Sequence, residues 1–236
     1  MNIKMKTSFK KINTPWITEA LEAKFDNAIQ LLTPGCKIFG GSLRDLVADL
    51  PIEGDLDVLV PTSEFIALRK SFAESPNWIL DKLIDTSSYN FKLDRLRVEK
   101  ILNFKNISNK IVQLIKIKNE DRVLDDYEII LNNIKSVDIR CCGLMLDMEG
   151  NLLEVIEGAQ QDCKDKALRL NPFVKNKCAK SKVTQRIEKL VKRGWTNFIV
   201  EDELVNDMIE AKVVENWATT LPFNFQIPDH LTFKHK

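Results

Sequence analysis

Histidine is almost absent from this chain of 236 residues. The two histidines, His230 and His235, both lie within the last seven positions. A Ser-His-Asp triad or a histidine-rich metal site would therefore have to be built from the C-terminal tail. Whatever chemistry the chain performs must come mainly from carboxylates, basic side chains and backbone amides.

Cysteine patterns and long apolar runs are also missing. The five cysteines are odd in number and contain no CxxC pair, which argues against a disulfide framework and a zinc knuckle. No apolar run reaches the roughly 18 residues that cross a bilayer. The N-terminal MNIKMKTSFKK lacks the apolar stretch of a secretory signal. We therefore expect reduced thiols, a cytoplasmic location and no membrane partner.

Charge is balanced overall but unevenly distributed. The net charge of +1 by itself predicts no polyanionic partner, yet residues 164–193 hold eleven Lys or Arg against two acids. Such a window can neutralise several phosphates, and binding of that kind weakens steeply with salt. The competing interpretation is a solvated helical face.

The densest group of chemically useful residues is FGGSLRDLVADLPIEGDLDVLVP, residues 39–61. Asp55 and Asp57 stand two apart on a predicted strand, so both side chains leave the same face and can converge on one cation. Carboxylate oxygens suit Mg²⁺, and two such ions about 4 Å apart can clamp the oxygens of a phosphoryl transfer. A DxD pair alone is also common in surface turns.

Two glycines precede this pair. Gly40 and Gly41 follow a predicted strand directly, where backbone amides can approach a polyphosphate, and the helix that begins near Ser42 points its positive end there. The Ser42 hydroxyl can add a contact. An ordinary tight turn is the alternative for the glycines. Arg44 either contacts the nucleotide or pairs with Asp45 across the helix surface.

The remaining pattern predicts a mixed α/β region followed by helices. Strands are expected near residues 78–83 and 97–104, and KIVQLIKIK, residues 110–118, is the clearest because β-branched residues dominate it. Helices are expected over residues 63–72 and 120–132, again around CCGLMLD, residues 141–147, and over most of the chain from Lys180 onward. This order suggests an α/β head with a smaller helical appendage.

GGSLRD followed by DLD resembles the signature of the nucleotidyltransferase head shared by tRNA CCA-adding enzymes and bacterial poly(A) polymerases, which is GGxxRD, a spacer and DxD. A second block, residues 138–170, resembles the segment of those enzymes that runs from an Arg-Arg-Asp motif through a glycine turn to Leu-Arg. Its matching residues are Asp138, Leu144, Gly150, Gly158, Asp162, Leu168 and Arg169. The resemblance covers about residues 20–195.

The resemblance implies an α/β (α+β) nucleotidyltransferase head over residues 1–170, with a small mixed sheet flanked by helices, and a short helical neck and C-terminal region over residues 171–236. It implies transfer of a nucleoside monophosphate from an NTP to the 3′ hydroxyl of tRNA or another RNA, with two Mg²⁺ ions held by Asp55 and Asp57. The expected nucleotide contacts are Gly40, Gly41, Ser42, Arg44 and Asp138. The expected nucleotide or RNA-backbone contacts of the neck, which share a helical face, are Arg186, Lys189 and Arg193.

Three departures from the family pattern bear on function. The paired arginines before the aspartate are here Ser136 and Val137, and the following asparagine is Cys142. Gln113 stands on the strand where a third carboxylate is expected, unless it is an ordinary edge-strand residue; an amide can coordinate a metal but cannot act as a base. The acid that pairs with an arginine to read the base is here Val183. The acids that can replace the third carboxylate in space are Glu99, Asp94 and Asp138.

Two other functions agree with the same residues. One is a small nucleotidyltransferase that modifies a protein or small-molecule hydroxyl. The other is a catalytically degenerate RNA-binding module that has lost the third acid and the base-reading residues. The sequence does not indicate the oligomeric state.

Overall fold

A computed structural model of the chain describes residues 11–85, 98–119, 124–171, 180–195 and 197–198. Short 3-10 turns lie at Ala28–Leu31 and Arg140–Cys142. The strands and helices within these ranges are, in order, β1 (Lys11–Asn13), α1 (Pro15–Lys24), β2 (Lys37–Phe39), α2 (Gly41–Val47), β3 (Leu56–Val60), α3 (Phe65–Glu74), β4 (Ile79–Asp85), β5 (Val98–Lys105), β6 (Ile111–Ile117), α4 (Asp126–Lys135), β7 (Leu144–Leu146), β8 (Asn151–Glu154), α5 (Ala159–Asp165), β9 (Ala167–Leu168), α6 (Lys180–Val191) and β10 (Asn197–Phe198).

Eight of these strands form one mixed sheet in the order β1-β8-β7-β2-β3-β6-β5-β4. Strands β3 and β6 run parallel, and the other neighbours in the sheet run antiparallel. The predicted mixed sheet with flanking helices is confirmed. None of the helices in the described ranges combines the length and apolar character that a membrane span requires.

The two faces of β3 are covered differently, because successive side chains of a strand point to opposite faces. Leu56, Val58 and Val60 are buried in the main core. On the other face Leu59 packs with Ile115 of β6 in a second apolar cluster, to which α4 contributes. Each such buried side chain contributes about 1.5–3 kcal/mol of transfer free energy. Asp55 and Asp57 share the face of Leu59 and lie beyond the end of this second cluster.

Three sequence predictions need correction. CCGLMLD forms a 3-10 turn and then strand β7, not an α-helix. All three residues of β7 are buried, so the sequence lacks the apolar and polar alternation that would distinguish this strand from a buried helix. The helix expected from residue 120 begins at Asp126, because Asp125 and Glu128 form a capping box. The helical stretch expected from Lys180 onward ends with α6 at Val191, and β10 then pairs in parallel with β9. The part of that expectation beyond residue 198 lies outside the described residues.

The second sequence block is organised around a buried carboxylate. Asp162 of α5 accepts hydrogen bonds from Arg140 Nε and Nη2 at 2.6 and 2.7 Å, and it forms an ion pair with Arg169 Nε at 3.1 Å. Gly158 has a φ of 81°, and a Cβ there would lie 2.9 Å from Arg140 Cζ. The contacts of Gly158, Asp162 and Arg169 therefore hold α5 and β9 against the 3-10 turn that begins at Arg140.

We expect Asp162→Ala to lower the free energy of unfolding by about 3 kcal/mol, because removing one partner leaves guanidinium groups without their counter-charge. Asp162→Asn should lower it less, since the amide oxygen still accepts a hydrogen bond. Urea denaturation measures both. Asp165→Ala, on the exposed side of the same helix, is the matched control and should change stability by no more than about 0.5 kcal/mol. Equal losses for Asp162→Ala and Asp165→Ala would contradict this account.

Candidate active site

The glycine turn lies directly against one of the two DxD aspartates. Asp57 pairs in register with Phe39 of β2, and Gly40 follows Phe39. Gly40 has a φ of 83°, which favours glycine, and a Cβ at this position would lie 2.5 Å from Asp57 Oδ2. Any larger residue at position 40 would therefore have to displace the carboxylate.

The start of α2 is bonded to the other aspartate. The buried Ser42 Oγ donates a hydrogen bond to the backbone oxygen of Asp55 at 2.6 Å. The first backbone N–H groups of a helix have no acceptor within it, so those at the start of α2 remain available beside the aspartates. The structure thus brings Gly40, Gly41 and Ser42 together with the DxD pair. The Ser42 hydroxyl proton is already used within the protein.

Asp57 is a partly buried carboxylate without a counterion. Within the described ranges its side chain makes no hydrogen bond or ion pair, whereas Asp55 Oδ2 accepts a hydrogen bond from Gln113 Nε2 at 3.0 Å. Burial, reinforced by the nearby charge of Asp55, raises the pKa of Asp57 to about 7. Burial also raises the pKa of Asp55, and the charge of Lys189 partly offsets that increase. Two carboxylates this close together have the donor chemistry of a divalent-metal site.

Among the residues that the structure describes, no third carboxylate joins this pair. Gln113 lies on β6 between β3 and β5, so the edge-strand interpretation of this residue is wrong. Glu99 instead forms an ion pair with Lys116 at 2.5 Å, and Asp138 forms one with Arg186 at 2.5 Å. Asp94 lies outside the described residues. In the part of the chain that the structure describes, no group of three or more His, Cys, Asp or Glu is arranged to hold a metal.

Arg44 is buried and bound within the protein. Its Nε and Nη2 donate to Asp45 Oδ1 at 2.9 and 2.5 Å, so the predicted Arg44–Asp45 pair is present. The guanidinium also lies 5.7 Å from the centre of the Trp195 ring, and Nη1 approaches Cys142 Sγ at 3.6 Å. The Cys141 hydrogen bond, assisted by the Arg44 charge, lowers the pKa of the Cys142 thiol. Cys142 thus stands beside Arg44 where the family pattern has an amide.

Helix α6 and the residues just after it bind the head through two sets of ion pairs. Arg186 Nη1 contacts Asp138 Oδ2 at 2.5 Å, yet the arginine side chain stays 60% exposed. Arg193 is only 12% exposed and contacts Asp45 Oδ2 and Glu53 Oε2, each at 2.9 Å. Arg193 therefore fastens the neck to the head.

Two neck residues also act electrostatically on the DxD pair. The charge of Arg186 lowers the pKa of Asp57, and that of Lys189 lowers the pKa of Asp55, each against the larger effect of burial. Both cations therefore lie close enough to the aspartates to influence their ionisation. The helical spacing predicted that Arg186, Lys189 and Arg193 share a face. It gave no signal for Asp45 and Glu53, because these partners of Arg193 lie far from it along the chain.

Replacing the uncompensated carboxylate should stabilise the metal-free protein. Because the folded-state pKa of Asp57, about 7, exceeds the unfolded value, ionisation disfavours folding progressively as pH rises from about 4 to 7. We expect Asp57→Asn to raise the free energy of unfolding by about 1–2 kcal/mol at pH 8 in EDTA, with the gain shrinking toward pH 4.5. Urea denaturation at both pH values measures this difference.

Asp49 is exposed, so Asp49→Asn is the control for the loss of one negative charge. It should change the free energy of unfolding by less than about 0.5 kcal/mol. An Asp57→Asn protein that is less stable than wild type at pH 8, or equally shifted at both pH values, would show that burial does not penalise the Asp57 charge.

Comparison with known proteins identifies the fold. No model of a protein family matches the sequence, and no curated protein does so either. A CCA-adding enzyme in complex with CTP is similar, with a TM-score of 0.60 and 17% identity over 92% of this chain and 49% of that one. The Thermotoga maritima CCA-adding enzyme complexed with tRNA gives a TM-score of 0.58 and 16% identity over 88% and 47% of the two chains.

A CCA-adding enzyme with ATP gives a TM-score of 0.57 and 16% identity over 88% of this chain and 48% of that one. The chain spans about half the length of these structures. The chain therefore has the fold of the nucleotidyltransferase head of CCA-adding enzymes.

Proposed function

We propose that this chain is an Mg²⁺-dependent nucleotidyltransferase that transfers a nucleoside monophosphate from an NTP to the 3′ hydroxyl of an RNA. The observation that carries the proposal is the pairing of Asp55 with the uncompensated Asp57 beside the Gly40 turn. The names of similar structures add support, because they include CTP, ATP and tRNA. In the proposed reaction the acceptor hydroxyl loses its proton to solvent as its oxygen bonds to the α-phosphorus, the bond from that phosphorus to the oxygen bridging to the β-phosphate breaks, and pyrophosphate leaves.

The donor set fits Mg²⁺. Asp55 and Asp57 would hold the metal, because their four carboxylate oxygens share one face and Asp57 has no other partner among the described residues. When bound, Mg²⁺ supplies charge neutralisation for the phosphates and lowers the pKa of an attacking hydroxyl. The Gln113 amide orients Asp55 through its hydrogen bond, but it has no basic site for the hydroxyl proton.

The groups around the aspartates are suited to a triphosphate. The free amides of the turn at Gly40–Ser42 can donate to phosphate oxygens, and the exposed cations of Arg186 and Lys189 add positive charge from the neck. Asp138 positions Arg186 through their ion pair. Arg44, stacked near Trp195 and bonded to Asp45, positions the start of α2 and the end of the neck relative to each other.

The chemistry of Gln113 supports a second candidate, a degenerate RNA-binding module. The two aspartates, with no third carboxylate beside them in the described part of the chain, would then be a remnant of a catalytic site. Such a protein binds RNA with or without Mg²⁺ and consumes no NTP. A nucleotidyltransferase for a protein or small-molecule hydroxyl remains the other alternative, and it shares the metal and triphosphate groups.

The decisive test is Mg²⁺-dependent transfer of label from each of the four α-³²P NTPs to total tRNA or a short oligoribonucleotide. We expect labelled RNA from wild-type protein and at least about a 10³-fold loss with Asp55→Asn/Asp57→Asn, because the metal contributes several kcal/mol of transition-state stabilisation. Asp49→Asn should retain the wild-type rate. Urea denaturation checks that each variant is folded.

The other outcomes separate the alternatives. Label on a protein or a metabolite but not on RNA favours the nucleotidyltransferase that modifies a protein or small-molecule hydroxyl. No label with any acceptor, from folded protein that binds RNA in EDTA, favours the degenerate module. Equal labelling by wild type and the double variant would contradict the role of the two aspartates.

A further inference from the structure

A row of polar side chains crosses the sheet from the DxD pair to its edge. Asp57 of β3 pairs in register with Gln113 of β6, Gln113 with Asn103 of β5, and Asn103 with Lys82 of β4. Paired residues on neighbouring strands point to the same face. The four side chains therefore form one continuous row, which spans about 14 Å at the usual distance between strands. Lys105 lies on the same face, two residues after Asn103.

No helix in the described ranges covers this part of the sheet face. Helix α4 packs on the neighbouring row of the same face, which contains Leu59 and Ile115. Lys105 lies on the opposite side of the polar row from that helix. Lys82 is exposed, Lys105 is half-buried, and Ile79, which pairs with Lys105, is 71% exposed. The face that the described helices leave uncovered thus runs from the aspartates, past the buried Asn103, to two lysines near the sheet edge.

One member of the row has a polar atom without a partner. Asn103 is only 9% exposed, and its side-chain oxygen is buried without a hydrogen bond in the described structure. A buried acceptor left unpaired costs about 1–3 kcal/mol. A ligand hydroxyl or amide that reaches Asn103 would remove this cost, so the amide oxygen marks a position for a hydrogen-bond donor from outside the protein.

Strand order places the glycine turn and the polar row on different sides of β3. The glycine turn follows β2, which flanks β3 on one side, whereas β6, β5 and β4 lie on the other. In phosphoryl transfer the attacking and leaving oxygens lie roughly in line, on opposite sides of the phosphorus. With the triphosphate at the glycine turn, the acceptor hydroxyl approaches from the β6 side, where the polar row begins.

We propose that the 3′-terminal nucleotides of a single-stranded RNA acceptor lie along this row, here called the acceptor track and formed by Gln113, Asn103, Lys105 and Lys82. The two lysines bind backbone phosphates, and the Asn103 oxygen accepts a hydrogen bond from a ribose 2′ hydroxyl, the group that distinguishes RNA from DNA. The acceptor track is the acceptor-binding surface of the proposed nucleotidyltransferase, so this proposal rests on that function.

The test uses Lys82→Glu/Lys105→Glu in the full chain, with the charge-matched control Arg69→Glu/Lys70→Glu on the exposed side of α3. We expect the KM for an oligoribonucleotide acceptor to rise about tenfold or more in the track variant and the salt slope of RNA binding to fall by about two. The KM for NTP should stay within about twofold of wild type. The control pair should change neither value.

Asn103→Leu tests the amide separately, because leucine has a similar volume and no acceptor. Wild-type protein should use an acceptor with 2′ hydroxyls better than the matched 2′-deoxy oligonucleotide. The ratio of the two kcat/KM values should fall about tenfold in the variant. Urea denaturation identifies any variant that fails to fold. An unchanged preference in folded Asn103→Leu would overturn the role of this residue.

Acceptor binding separates failure of the track from failure of the proposed function. If wild-type protein transfers no label, the affinity of a fluorescent oligoribonucleotide still tests the track: weaker binding by the lysine variant than by the control supports it. Equal RNA affinity of the lysine variant and wild type overturns the track, whether or not transfer occurs. Labelling of a protein acceptor without oligoribonucleotide binding also overturns it.

Discussion

The close contact between Gly40 and Asp57 is the constraint on which the site depends. Pairing of β2 with β3 places the turn at the carboxylate, and only a glycine leaves room for it there. The same packing buries Asp57 beside Asp55 without an ion pair among the described residues, which is unfavourable for a metal-free fold. This unfavourable charge is expected at a site that binds a cation together with an incoming triphosphate. A cation that binds the two carboxylates only in the folded protein would stabilise the fold.

The neck completes the site by electrostatics over a long sequence distance. Asp45, next to the glycine turn, binds both Arg44 and Arg193, which lies 148 residues further along the chain. This shared carboxylate joins α2 to the end of the neck, while Arg186 stays exposed near Asp57. The two arginines therefore differ in their surroundings: Arg193 is only 12% exposed in its contact with α2, whereas Arg186, paired with Asp138, keeps an exposed side chain.

Local pattern was sufficient for the parts of the site that lie close together in the sequence. The two-residue spacing of Asp55 and Asp57 on a predicted strand predicted their shared face, and the Gly40-Gly41 pair predicted the turn beside them. The pattern was insufficient where burial on both sides removes alternation, as in β7, and where partners come from distant segments, as for Arg193 and Trp195. The polar row through Asn103 depends on the register of three strand pairs, which no single segment specifies.

Direct measurement of metal binding at Asp55 and Asp57 tests the central claim most directly. Mn²⁺ can replace Mg²⁺ at carboxylate sites and is observed by electron paramagnetic resonance. With CTP or ATP at a fixed free concentration, wild-type protein should bind Mn²⁺, and Asp57→Asn should weaken that binding by about tenfold or more, while Asp49→Asn leaves it unchanged. Equal Mn²⁺ affinity for wild type and Asp57→Asn would contradict the assignment of this carboxylate pair as the metal site.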